Sequence, residues 1–291
     1  MNTMEIKPRI KNITSFITRS ELKNPKIEDD IKLPERILAA VGNVNNISFP
    51  QQGMCSLVSI IDSDSGRFIL KVSKGEYRGK ELYAEYEAMK ALRETDIPVP
   101  VLEDFFQEGN MYYLLRECDE GAPLNTLFNE SKNKKERLYM IEEMARALRE
   151  IHNINKNSIS FKEFIKAQFY FAEEHCKNNT IDILDFVFDG KREDPQDVMK
   201  WLKENIPKGG ETCLIHGDYR PKNMLWKNNK IASIIDWAFC DIGDPYYDFA
   251  MLFDYFINDE EKQAFLKAYG LKKFDEQRLR FYTRMIPFIN I

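Results

Sequence analysis

Leu214-Ile215-His216-Gly217-Asp218-Tyr219-Arg220-Pro221-Lys222-Asn223-Met224-Leu225 is the stretch that decides how this chain is read. An apolar strand end runs into a loop in which His216, Asp218 and Asn223 stand at intervals of two and five residues. The turn Lys227-Asn228-Asn229-Lys230 follows, and then Ala232-Ser233-Ile234-Ile235-Asp236-Trp237. Physically, this is a loop carrying a carboxylate and an amide, then a hairpin that delivers a second carboxylate at a strand end.

Those residue types suit one kind of chemistry. In phosphoryl transfer one Asp accepts the proton of an attacking hydroxyl, while an Asn and a second Asp hold Mg²⁺ on the nucleotide phosphates. The Asp218 to Asn223 interval, with His216 two places before the Asp, reproduces the spacing of the kinase catalytic loop. Downstream, Gly243-Asp244-Pro245-Tyr246-Tyr247-Asp248-Phe249-Ala250 completes a set of four linked motifs. With them the sequence resembles the aminoglycoside phosphotransferase and choline kinase group of small-molecule kinases. Gly217 stands where protein kinases carry Arg, and Asp236-Trp237-Ala238 replaces Asp-Phe-Gly, so the small-molecule branch is favoured over a protein kinase.

The resemblance runs from about residue 45 to the end and implies roles residue by residue. Asp218 becomes the catalytic base, and Asn223 and Asp236 the Mg²⁺ ligands. Lys71, in Phe68-Ile69-Leu70-Lys71-Val72, steadies the phosphates of ATP or GTP, paired with Glu85 or, failing that, Glu87. Gly53 and Ser56 lie in a reduced phosphate-covering loop without GxGxxG. Glu117 and Asp119, in the stretch that joins the lobes, would meet the nucleobase through their backbone. His216 and His152 read as scaffold, and Asp244 and Asp248 as braces of the catalytic loop. Arg220 stands where protein kinases place a Lys facing the γ-phosphate; that role and a plain surface role both remain open.

The fold expected is α+β: a bilobal, protein-kinase-like arrangement with a small antiparallel-sheet N-lobe and a larger, mainly helical C-lobe. Pro34 and Gly42 bracket a short helix. Leu57 to Ile61 and Arg67 to Val72 read as a hairpin around Asp62-Ser63-Asp64-Ser65-Gly66. A helix from Lys80 to Glu94 precedes a second strand pair around Gly109-Asn110. A long amphipathic helix from Lys134 to Asn155 opens the helical part, with two or three more between Phe161 and Glu204. The boundary is placed at 117/118, giving a nucleotide-binding lobe over 1–117 and a catalytic, acceptor-binding lobe over 118–291.

Composition excludes several classes. The 291 residues are 43% hydrophobic and 31% charged with a net charge of −5, which fits a globular protein and not a nucleic-acid binder. Five cysteines include no CxxC pair, so neither a zinc ribbon nor a disulfide framework is expected. Met1 to Lys11 shows no signal-peptide core, and no run reaches membrane-spanning length, which points to a cytoplasmic protein with no membrane partner. The acceptor is the open question. Seven acidic residues and no Lys or Arg fall between Asp241 and Glu261, which suits a cationic, aminoglycoside-type acceptor. Asp259, Glu260 and Glu261 read instead as a first helical turn capped by Asn258, leaving Asp241 and Asp254 as the substrate candidates. The alternatives are a metabolic kinase of choline, ethanolamine, sugar or homoserine type, and a catalytically silent nucleotide-binding module.

Overall fold

Residues 33–50, 56–154, 159–256 and 258–289 are described by a computed structural model. They divide into two compact units. The first runs through Leu124 and also takes Lys222–Phe239; the second takes Asn125–Pro221 and the chain from Cys240 onward.

In the first unit, Pro34 and Gly42 bracket helix α1 (Glu35–Val41) as expected. Five antiparallel strands follow: β1 (Val44–Ser48), β2 (Leu57–Ser63), β3 (Gly66–Lys74), β4 (Leu102–Glu108) and β5 (Met111–Glu117), in the order β1-β2-β3-β5-β4. Strand β3 is central, and its alternation serves two purposes. Phe68, Leu70 and Val72 join Ile37, Val41, Tyr113 and Leu115 in an apolar cluster. Each such side chain, fully buried, contributes about 1.5–3 kcal/mol. Ile69 and Lys71 point to the opposite face, which carries helix α2 (Glu76–Leu92). Gly79 of α2 lies against the Tyr112 ring, where an added Cβ would come within 2.4 Å, so the missing side chain lets helix and sheet approach closely.

The short strand β6 (Ala122–Pro123) pairs with Met224–Lys227, which forms a hairpin with Lys230–Ile234. The amide of Ile234 also donates to Pro98 O at 2.8 Å. The compact units divide at 124/125, and strand pairing that local sequence does not encode places the hairpin in the first unit. Strand β1 was not foreseen.

The second unit is mainly helical: α3 (Leu124–Glu130), α4 (Lys134–Ile154), α5 (Phe161–Asn178), α6 (Pro195–Glu204), α7 (Pro245–Phe253), α8 (Asp259–Tyr269) and α9 (Glu276–Met285). Ser160 and Glu163 form a capping box on α5. Asn258 caps α8, accepting from the Glu261 amide at 3.0 Å as expected. Arg137 of α4 donates to Glu261 of α8 at 2.6 and 3.1 Å and stacks on the Phe128 ring at 3.7 Å. Breaking such a buried pair costs about 3–5 kcal/mol. Among the described residues, Cys118, Cys176, Cys213 and Cys240 are free thiols, and no helix is long and apolar enough to cross a membrane.

Candidate active site

In the first unit the structure gathers four of the expected residues. Lys71 Nζ lies 2.7 and 2.9 Å from the two carboxylate oxygens of Glu85 and 3.1 Å from Asp236 Oδ1. Glu85 is therefore the partner; Glu87 faces out toward Lys90. Burial alone would pull the Lys71 ammonium down, but Asp236 and Glu85 outweigh it and hold the group above its ordinary value. Lys71 is a fixed cation.

Asn223 and Asp236 occupy the two ends of the 224–234 hairpin. The Ile235 amide donates to Asn223 O at 2.9 Å, which sets the Asn beside the residue preceding Asp236. Asp236 itself has φ +68°, a left-handed conformation uncommon outside glycine that stores about 1 kcal/mol of strain or more. At the far end of β5 the Glu117 and Cys118 amides donate to Val101 O and Arg67 O, which fixes the path of the chain into Asp119. Ser56 is half-buried just before β2, and Gly53 lies outside the described residues.

In the second unit, Asp218 is buried at 5% exposure in a loop that is held from several sides. Asp248 accepts from the amides of His216 and Gly217 at 2.8 and 2.9 Å. Its Oδ2 also lies 3.1 Å from Nε2 of His152, whose Nδ1 is 2.8 Å from Tyr269 OH. The Asp218 amide donates to His216 Nδ1 at 3.2 Å, and Tyr219 OH donates to Met144 O at 2.8 Å. Gly217 has φ +82°, which is why a glycine fits there. His216, His152 and Asp248 are thus scaffold, as expected.

Asp244 is a correction. It caps α7 through the Tyr246 amide and receives Arg278 Nε at 2.5 Å and Tyr282 OH at 2.7 Å, so it braces α9 and not the loop. A buried carboxylate takes whichever cation the fold brings within reach. Asp241 is a 7%-exposed residue of the strand Asp241–Gly243, and its Oδ1 accepts from the Ile242 amide at 2.7 Å. Asp254 is exposed and lies within electrostatic reach of Arg220.

Two arginines carry more than the sequence suggested. Arg220 Nε stands 2.8 Å from Asp218 Oδ1, and its Nη2 lies 3.0 Å from Met251 Sδ, so it belongs to the loop cluster and not to the open surface. Arg116 is buried beside Glu117 and Asp119. Its signal was present in the alternation of β5, which puts it on the same face as Leu114, opposite Lys71.

The chain belongs to the phosphotransferase enzyme family, whose description it matches over residues 51–282. It is 26% identical to an aminoglycoside 3'-phosphotransferase of Niallia circulans over 217 residues, covering 72% of this chain and 79% of that protein. Its fold is similar to that of an aminoglycoside-3'-phosphotransferase of type VIII, with a TM-score of 0.70 and 19% identity, covering 87% of this chain and 97% of the other. An aminoglycoside phosphotransferase of Streptomyces rimosus, solved with ADP and streptomycin, aligns with a TM-score of 0.67 and 21% identity over 88% of this chain and 98% of the other.

Proposed function

We propose that the protein transfers the γ-phosphoryl group of ATP or GTP to a hydroxyl of an aminoglycoside-type small molecule. The observation that carries this reading is the Lys71 ammonium set between Glu85 and Asp236, with Asn223 tied beside Asp236. The names of the relatives support the acceptor class.

In this reading Lys71 holds the α- and β-phosphates, kept in place by Glu85. The backbone of Glu117 and Asp119 receives the base. Asp218 orients the acceptor hydroxyl and takes its proton as the oxygen attacks phosphorus, with no covalent enzyme intermediate. Asn223 and Asp236 supply hard oxygen donors that fit Mg²⁺. Such an ion draws its other ligands from phosphate and water. Bound there, Mg²⁺ would offset charge developing on the phosphates. The exposed Asp254 carboxylate favours a cationic acceptor.

The test is a phosphate-transfer screen with ATP and GTP against aminoglycosides, macrolides, choline, ethanolamine and sugars. Transfer to an aminoglycoside above the rest is the expected result. A neutral sugar or choline as the best acceptor would replace the acceptor class and keep the chemistry, and transfer to none would favour the silent binding module.

A further inference from the structure

Arg116 takes no part in the chemistry described so far, yet it is a charged residue only 5% exposed. The register of β3 against β5 opposes Lys71 to Leu114 and Ile69 to Arg116, so Arg116 shares the sheet face that carries Lys71 and Glu85. Its positive charge acts on both of them. Nη1 donates to Glu117 O at 3.1 Å and to Asp119 Oδ2 at 2.5 Å, while Nε is buried without a hydrogen-bond partner. A Leu or Met here would leave no buried donor unpaired.

A guanidinium offers N–H donors and no acceptor. The two purines differ in what they present at C6. Adenine carries an amine, a donor, whereas guanine carries an oxygen, and both O6 and N7 of guanine accept from arginine. An adenine amine directed at Glu117 O meets a carbonyl that already accepts from Arg116, with a cation beside it. A guanine oxygen in the same place finds donors.

We propose that Arg116 is a specificity-determining residue that selects guanine over adenine nucleotides, making GTP the phosphoryl donor. This rests on the reading that Glu117 and Asp119 receive the base.

The test is calorimetric titration of the full chain with GDP and with ADP, each with Mg²⁺. GDP should bind about tenfold more tightly or better, and Arg116→Met should move the ratio of the two constants toward ADP by about tenfold. Should the Met variant fail to fold, Arg116→Lys keeps the charge, loses the planar fork and should narrow the ratio. ADP binding as well as or better than GDP to the wild type overturns the proposal, and so does an unchanged ratio in a folded variant. Binding of neither nucleotide removes the nucleotide-site reading itself, and the inference falls with it.

Discussion

The Lys71 ammonium bridges both carboxylate oxygens of Glu85, a two-point contact that ties the central strand of the sheet to helix α2. A single contact would let the four-carbon stem swing; two fix the charge in space. Glu85→Gln removes the charge and one acceptor, leaving Lys71 to drift toward Asp236. The kcat/KM for the nucleotide should fall by about 10²-fold, the scale of a small misplacement of a positioning group. Steady-state kinetics checks this, and an unchanged value would remove Glu85 from the phosphate machinery.

Asp218→Asn preserves the shape of the loop and abolishes the proton acceptor. Transfer to the acceptor should drop about 10²- to 10⁴-fold. Nucleotide binding, followed by calorimetry, should change little, because the residues assigned to the phosphates lie elsewhere in the sequence. Comparable transfer rates in wild type and variant would sink the assignment of Asp218.

Asp248→Ala withdraws the acceptor from two buried amides at once. Each orphaned N–H costs about 1–3 kcal/mol. The melting temperature should fall by about 5 °C or more. Scanning calorimetry reads the shift, and a variant that melts with wild type would mean that the loop does not depend on this carboxylate.

Glu193 gives a pH-dependent expectation. Arg284 donates to it at 2.6 and 2.7 Å, and those hydrogen bonds hold its carboxyl below the usual range. The folded protein therefore binds this proton less readily than the unfolded chain. The resulting stability is present above an unfolded value of about 4.3 and is lost as pH falls through the lower folded value. Wild type should melt above Glu193→Gln at pH 7, with the gap closing toward pH 3. An equal gap at both pH values would assign the effect to packing.

Much of this was legible in the sequence because it is local. Pro34 and Gly42 mark α1, the turn residues mark both strand pairs, and Asn258 announces the start of α8. Spacing together with the family resemblance singled out Asp218, Asn223 and Asp236 as candidates. What escaped depends on partners distant in sequence. Strand β1 reads Val-Asn-Asn-Ile-Ser with its three central residues exposed, so it lacks the alternation of a half-buried strand. Asp244 looks like Asp248 in the motif, and only the approach of Arg278 and Tyr282 from α9 separates their tasks. Arg116 reads as surface by residue type, because a charged side chain is seldom buried unless the fold supplies its partners.

The return of Lys222–Phe239 to the first unit means that the gene encodes that unit in two separated pieces. No single truncation releases it whole. A fragment ending at Leu124 would keep Lys71 and Glu85 but lose Asn223 and Asp236, and Ala122–Pro123 would be left without the strand that pairs with it. Recombination between relatives is constrained in the same way. A chimera that exchanges the first 124 residues alone imports Lys71 and Glu85 and must find Asn223 and Asp236 already waiting, nearly a hundred residues further along the chain.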